Sequence, residues 1–327
     1  MTGRKAEIIR FLDTIGWSAA ARAPLAGDAS FRRYERLHHN GGTAVLMDAP
    51  PPEDVASFVA VASYLRDVGC SAPKVMAVET GSGLALLEDL GDNTYTRVLN
   101  DGANAAPLYT AAIDLLVELQ THAPADWLAP YDKATYFAEA DLLLDWYMPA
   151  MDATPDAAAR EAFHEAWDAV LPMSVLGAPV TVLRDYHADN LMWLSGREGL
   201  ARVGLLDFQD ALAGSPAYDL VSLLEDARRQ VPADLVEAMI TRYLAASPQL
   251  DPKAFRAAFA ILGGQRNIKI IGIFTRLCRR DGKPSYLSMI PYVWRLLEGD
   301  LAHPVLSDVR AWFDRYLPPP LRGIPHP

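Results

Sequence analysis

The stretch Val180-Thr-Val-Leu-Arg-Asp185-Tyr-His-Ala-Asp-Asn190-Leu-Met-Trp-Leu194 is the part of this 327-residue chain that decides its fold. Apolar runs flank the polar residues, which predicts a loop between two short strands. A similar arrangement follows downstream, where Asp207 comes directly after the apolar run that ends at Leu206. A side chain just past a strand is exposed in a loop but held on a rigid base, which is typical of functional residues.

The residue types in this stretch favour a magnesium and phosphoryl-transfer centre. Magnesium prefers oxygen ligands, a few from protein and the rest from phosphates and water. Asn190 and Asp207 offer such oxygens at the ends of neighbouring predicted strands, so we expect them to hold one metal ion. Asp185 then faces the acceptor hydroxyl and receives or aligns its proton. Each residue alone would be an ordinary turn former, and it is the ordered set that favours function.

The composition predicts a globular protein with small-molecule partners. The chain is 51% hydrophobic and 22% charged, which is typical of an ordered fold. Its net charge of −11 argues against non-specific binding to nucleic acid or to an anionic membrane. The only cysteines, Cys70 and Cys278, cannot build a disulfide framework. With no apolar signal core and no run of the ~20 apolar residues that span a bilayer, we expect a cytoplasmic protein.

The pattern along the chain changes near residues 90–92, where we predict a boundary. Residues 1–90 predict a small antiparallel sheet with one helix, 53–68, inserted after its third strand. Residues 91–327 are mainly helical, interrupted by strands near 180–206. The expected architecture is α+β, with an N-lobe that carries a nucleotide-covering turn and a hinge, and a helical C-lobe that carries the catalytic loop and the acceptor site.

Three motifs carry a resemblance to a known family. The segment Arg184–Asn190 resembles the catalytic loop of the aminoglycoside phosphotransferase and choline kinase branch of the kinase superfamily, which usually reads H-G-D-x-H-x-x-N. Leu206-Asp-Phe-Gln-Asp210 is similar to the metal-binding segment that is D-F-G in protein kinases, and Tyr218-Asp-Leu220 matches the next fixed acidic position of the branch. The resemblance implies a protein-kinase-like, two-lobed fold that uses ATP and Mg²⁺.

The resemblance also implies roles for individual residues. Asp185 is the catalytic base or aligner, Asn190 and Asp207 are the metal ligands, and Asp219 braces the catalytic loop. For His187 we favour structural support of that loop.

Nucleotide contacts are implied in the N-lobe. Leu86–Leu90 is similar to the hinge whose backbone binds adenine, which assigns Glu88 and Leu90 to the nucleotide. The phosphate-covering turn falls on Gly27–Ser30, so its assigned members are Asp28, Ala29 and Ser30.

One departure from the family pattern concerns the third strand, where kinases usually carry a lysine that binds the α- and β-phosphates. Residues 44–48 contain no lysine, and Arg32 or Arg33 on the adjacent strand is the alternative source of charge. Side chains alternate along a strand, so at most one of the two arginines points at the phosphates. Without a lysine partner, Glu53 is interpreted as a charge at a helix N-terminus.

Three further segments, 27–34, 47–51 and 265–274, resemble the bacterial anomeric N-acetylmuramate/N-acetylglucosamine kinases of cell-wall recycling. Those enzymes phosphorylate the C1 hydroxyl of the sugar. Arg266, Asn267 and Lys269 are then either a wall of the acceptor pocket, where a cation meets a carboxylate, or a solvated stripe on a surface helix.

Two alternatives remain open from the sequence. The first keeps the reaction and changes the acceptor to an aminoglycoside, choline or homoserine. The second is a pseudokinase that binds nucleotide and regulates a partner; the missing lysine favours it and the intact set of Asp185, Asn190 and Asp207 disfavours it.

Overall fold

A computed structural model of the chain describes residues 3–25 and 32–326. The chain divides into two compact units, each made from two stretches of sequence. The first unit comprises Met1–Leu115 and Asp189–Ala211, and the second comprises Leu116–Ala188 and Leu212–Pro327. In the described part of the chain, no helix is long and apolar enough to cross a membrane.

The first unit is built on a five-stranded antiparallel sheet in the order β1-β2-β3-β5-β4. Its strands are β1 (Ala21–Pro24), β2 (Arg33–His39), β3 (Gly42–Asp48), β4 (Val75–Glu79) and β5 (Leu84–Glu88). The β2–β3 hairpin turns at Asn40 and Gly41, which both have positive φ, as this Asn-Gly pair predicts. The predicted antiparallel sheet is confirmed.

Four helices among the described residues belong to this unit in whole or in part. They are α1 (Gly3–Thr14), α2 (Val55–Asp67), α3 (Tyr95–Asn100) and the start of α4 (Ala105–Leu119). From α1, Ile8, Phe11 and Leu12 pack in one apolar cluster with sheet residues such as Leu37 and Leu46. α3 and α4 are separate helices, because the chain turns at Gly102 with a φ of +91°.

A separate hairpin also belongs to the first unit. It consists of β7 (Leu191–Trp193) and β8 (Val203–Leu205), paired antiparallel. The Leu205 N–H donates to the carbonyl of Ser71 over 3.0 Å, which ties the hairpin to the N-terminal part of the chain. The first compact unit therefore extends beyond residue 90. The lobe boundary that we predict near residues 90–92, where the sequence pattern changes from sheet to helix, stays a prediction.

The second unit is mainly helical. Its short strands β6 (Val180–Val182) and β9 (Leu212–Gly214) pair antiparallel. Its helices are the end of α4, α5 (Lys133–Leu142), α6 (Met148–Ala150), α7 (Ala157–Val170), α8 (Tyr218–Leu224), α9 (Ala233–Ala246), α10 (Pro252–Asp281), α11 (Ile290–Leu301) and α12 (Ser307–Tyr316).

The 30-residue α10 is the central helix of this unit and is buried along most of its length. Gly272 lets it approach the end of α5, because a Cβ there would lie 2.4 Å from the backbone carbon of Leu142. This close approach positions the polar residues of α10 inside the unit.

Candidate active site

The loop that carries Asp185 is held at its start by Asp219. The Asp219 carboxylate accepts hydrogen bonds from the backbone N–H groups of Leu183, at 2.6 Å, and Arg184, at 2.9 Å. Asp219 is fully buried at the beginning of α8, and burial raises its pKa to about 7 despite these two donors. This is the contact that the predicted bracing role requires.

A second carboxylate, Asp226, holds the other end of the loop and was missed by sequence reasoning. Its oxygens accept from the backbone N–H groups of Ala188, at 3.2 Å, and Arg228, at 2.8 Å. Asp226 is 1% exposed, just beyond the end of α8. An acidic residue two positions after the end of an apolar helix was the available signal, but the sequence does not show that it reaches the loop.

The electrostatic surroundings keep Asp185 ionised. Burial is the largest influence and raises its pKa, but the charge of Lys269, followed by those of Arg266 and Arg184, brings the pKa below its usual range. A carboxylate that stays deprotonated at neutral pH can accept the hydrogen bond of a hydroxyl group and align it.

Two of these cations share one buried carboxylate, Glu139 of α5. The Lys269 ammonium lies 2.8 Å from Glu139 Oε1 and 3.3 Å from the hydroxyl of Tyr218. Arg184 forms a second ion pair with Glu139, and the Tyr131 hydroxyl donates to its other oxygen. Lys269 therefore has protein partners, and its charge is balanced within the second unit. Glu139 was also missed, because its partners lie far away in sequence.

Arg184 has an unusual backbone conformation for its residue type, with a φ of +70°. The left-handed region costs a residue with a Cβ about 1 kcal/mol relative to glycine, which the family pattern carries before the catalytic aspartate. The Arg184 side chain compensates, since its guanidinium pairs with Glu139 and lies 5.6 Å from the centre of the Tyr131 ring. In this chain the ion pair of the Arg184 side chain thus offsets the backbone cost that a glycine at this position would not have.

His187, a residue of the same loop, is buried and neutral. Burial, followed by the charge of Arg228, lowers its pKa to about 3. Its Nε2 lies 3.2 Å from Nη1 of Arg228. A neutral, buried imidazole in contact with a permanent cation fits the predicted structural role.

In the first unit, Asn190 and Asp207 lie on neighbouring strand ends of the β7–β8 hairpin. The Leu206 N–H donates to the Asn190 carbonyl over 2.9 Å, which fixes the two residues in register. Asp207 has a φ of +54°, a sparsely populated conformation that is often found at functional sites. Their amide and carboxylate oxygens fit the ligand preference of magnesium.

The structure distinguishes between the two candidate arginines. Arg32 is 9% exposed, and its guanidinium lies 3.1 Å from Glu53 and 3.3 Å from Asp207. Arg33 begins β2 and is exposed. Glu53 lies at the N-terminus of α2, directly before the N-cap Asp54, as predicted, and it also pairs with Arg32.

The assigned nucleotide contacts receive less support from the structure. The Glu88 N–H donates to the Lys74 carbonyl over 2.8 Å, and the Glu88 side chain pairs with Arg197 over 2.6 Å. The backbone donor of Glu88 is therefore already used. Leu90 is half-buried. Asp28, Ala29 and Ser30 lie outside the described residues, and the roles of all five residues stay predictions.

The polar residues of α10 are not a solvated stripe. Arg266 is 4% exposed, Asn267 is fully buried and Lys269 is 8% exposed. The Asn267 amide donates to Glu225 over 2.8 Å and to Asp300 over 2.9 Å. Burial raises the pKa of Glu225 to about 7 and that of Asp300 as well. The surface-helix alternative is thus wrong, because these side chains lie inside the unit.

Comparison with known proteins gives consistent matches. Residues 22–255 match the model of a phosphotransferase enzyme family. The chain is 41% identical to a protein of Caulobacter vibrioides named N-acetylmuramate/N-acetylglucosamine kinase, over 96% of this chain and 97% of that one. A Pseudomonas aeruginosa protein of the same name is 38% identical over 90% of this chain and 89% of its own length.

Solved structures show the same fold at low sequence identity. A choline/ethanolamine kinase family protein from Mesorhizobium loti superposes with a TM-score of 0.67 at 15% identity, covering 94% of this chain and 98% of that chain. The GDP complex of aminoglycoside 2'-phosphotransferase-IIIa gives a TM-score of 0.63 at 15% identity, covering 92% of this chain and 99% of that chain. The predicted kinase-like α+β fold is confirmed.

Proposed function

Because this chain belongs to the phosphotransferase enzyme family, we propose that it transfers the γ-phosphoryl group of ATP to the C1 hydroxyl of N-acetylmuramate and N-acetylglucosamine. The observation that carries the choice of acceptor is the 41% identity, over nearly the full length of both chains, to a kinase of that name. The family resemblance drawn from the catalytic loop is confirmed. The proposed setting is the cytoplasm, in the recycling of cell-wall sugars.

In the proposed mechanism Asp185 acts on the acceptor. Its carboxylate accepts the hydrogen bond of the C1 hydroxyl, orients the oxygen towards the γ-phosphorus and takes up the proton as the new P–O bond forms, while the bond from the γ-phosphorus to the bridging oxygen breaks and ADP leaves. The lowered pKa of Asp185 supports this role, because the base is ionised before the acceptor arrives. Asp219 and Asp226 keep the loop in one conformation through its backbone N–H groups.

Asn190 and Asp207 would hold Mg²⁺, which when bound neutralises charge on the phosphate oxygens. We assign the charge of the missing third-strand lysine to Arg32, which contacts both Asp207 and Glu53. In kinases the lysine pairs with a helix glutamate in the same way. This assignment removes the main reason for the pseudokinase alternative.

The experiment that tests the proposed function is an ADP-release assay with Mg²⁺ and ATP across N-acetylmuramate, N-acetylglucosamine, kanamycin, choline and homoserine. We expect turnover with the two amino sugars and a product that carries phosphate on C1, identified by phosphorus NMR. Turnover with another acceptor alone would replace the acceptor assignment. Absence of turnover with all five would favour the pseudokinase.

A further inference from the structure

Arg266 differs from its neighbours on α10 in having a buried donor without a partner. It is 4% exposed, and among residues 3–25 and 32–326 its buried Nη1 makes no hydrogen bond. Lys269, one turn further along the same helix, is paired with Glu139, and Asn267 donates to Glu225 and Asp300. Arg266 takes part in neither of these two sets of contacts.

A buried guanidinium with an unused donor is costly. Leaving a buried charged group unsatisfied costs more than the 1–3 kcal/mol that is typical of a neutral donor. The donors of arginine form a rigid fork that matches a carboxylate in a bidentate geometry. An anion from outside the chain would therefore satisfy Arg266 better than a water molecule.

The charge of Arg266 also acts on Asp185, the group assigned to the acceptor. Arg266 is one of the cations whose charge lowers the pKa of Asp185, and it does the same for Asp219 and Glu225. All of these residues belong to the second unit. Arg32, Asn190 and Asp207, the residues assigned to phosphate and metal, belong to the first unit, so we assign Arg266 to the acceptor.

We infer that Arg266 binds the carboxylate of an anionic acceptor and makes the enzyme selective for acid sugars over neutral ones. The inference rests on the proposed function, since N-acetylmuramate carries a lactyl carboxylate and N-acetylglucosamine does not. Arg266 then determines specificity, because the neutral sugar offers no carboxylate for its guanidinium to bind.

The test compares kcat/KM for the two sugars in wild-type protein and in Arg266→Gln. We expect kcat/KM for N-acetylmuramate to fall roughly 10- to 100-fold more than the value for N-acetylglucosamine, the range of a lost hydrogen bond to a charged group, because the loss of the Arg266 charge near Asp185 affects both sugars alike. Arg256→Gln is the matched control on the same helix. Arg256 is exposed and paired with Glu237, so neither value should change.

A change in the substrate provides a second test that does not depend on the folding of a variant. Wild-type protein is assayed with N-acetylmuramate whose carboxylate has been converted to the neutral amide. We expect the same 10- to 100-fold loss, and we expect Arg266→Gln to process acid and amide equally well.

Equal losses for both sugars in Arg266→Gln, or a wild-type protein that does not distinguish acid from amide, would overturn the inference and leave the proposed function intact. A wild-type protein that phosphorylates neither sugar would count against the proposed function itself.

Discussion

The Asp185 loop and the β7–β8 hairpin perform neighbouring steps of one proposed reaction, yet they are supported differently. Around Asp185 the second unit supplies carboxylates for the backbone at both loop ends and a charge cluster centred on Glu139. In the hairpin the side chain of Asp207 contacts Arg32 at 3.3 Å and Gln209 at 3.2 Å. The predicted base lies on a loop whose backbone is held by buried carboxylates, whereas the predicted metal ligand Asp207 contacts a buried arginine.

A large loss of activity is expected on the hairpin side. Asp207→Asn removes a carboxylate ligand from Mg²⁺ and should reduce kcat/KM by about 10² to 10³, because charge stabilisation in the transition state is lost. The half-saturating Mg²⁺ concentration should rise in the same variant, while the urea midpoint stays close to wild type. The control is Glu237→Gln on the exposed surface of α9, which should change neither quantity. An unchanged Mg²⁺ dependence would remove Asp207 from the metal site.

A change in the charge cluster centred on Glu139, which supports the Asp185 loop, should mainly lower the free energy of unfolding. Glu139→Gln leaves Lys269 and Arg184 as buried cations without their shared carboxylate, which should lower the free energy of unfolding by about 3 kcal/mol. Chemical denaturation of the variant and wild type measures this difference. Lys269→Met together with Glu139→Gln should recover part of the loss, because one uncompensated charge is removed. Wild-type stability of Glu139→Gln alone would show that the cluster does not support the loop.

These differences also explain what could be predicted from the sequence. The Asn40-Gly41 hairpin, the strand ends at Asn190 and Asp207, and the choice of Asp185 as the candidate base follow from local patterns. Glu139 and Asp226 do not, because each acts through a contact between elements far apart in the chain, and an isolated acidic residue on a helix carries no local signal.

The choice between Arg32 and Arg33 shows the same limit. Alternation along a strand allows only one of them to face the nucleotide, but it does not determine which. The determining contact is the pair of carboxylates, Glu53 and Asp207, that Arg32 meets in the folded first unit.

A smaller effect is expected at Arg32. Arg32→Met should raise the KM for ATP about 10- to 100-fold, since a charged contact to phosphate is lost, and Arg33→Met should change it less than threefold. Arg33 is the matched control because it is adjacent and exposed. Equal effects of the two variants in steady-state kinetics would contradict the assignment of the missing lysine's charge to Arg32.

The smallest effect is a pH dependence of stability. The folded-state pKa of His187 is about 3, below the ordinary value of about 6.5. Below pH 6.5 the unfolded chain binds a proton that the folded chain does not, so this residue makes stability fall as the pH falls. Between pH 7 and pH 5 the loss should reach up to about 2 kcal/mol, and it should be absent in His187→Gln. Urea titrations at both pH values measure it, and identical pH dependence of the two proteins would show that His187 titrates normally.

The central claim is that Asp185 is the base that acts on the acceptor hydroxyl, and Asp185→Asn tests it most directly. The measurement is single-turnover phosphoryl transfer to N-acetylglucosamine at saturating ATP and Mg²⁺, with the Kd for ATP determined on the same preparation. The predicted result is a rate about 10² to 10⁴ lower than wild type with an unchanged Kd for ATP. A rate near that of wild type would contradict the assignment of this centre.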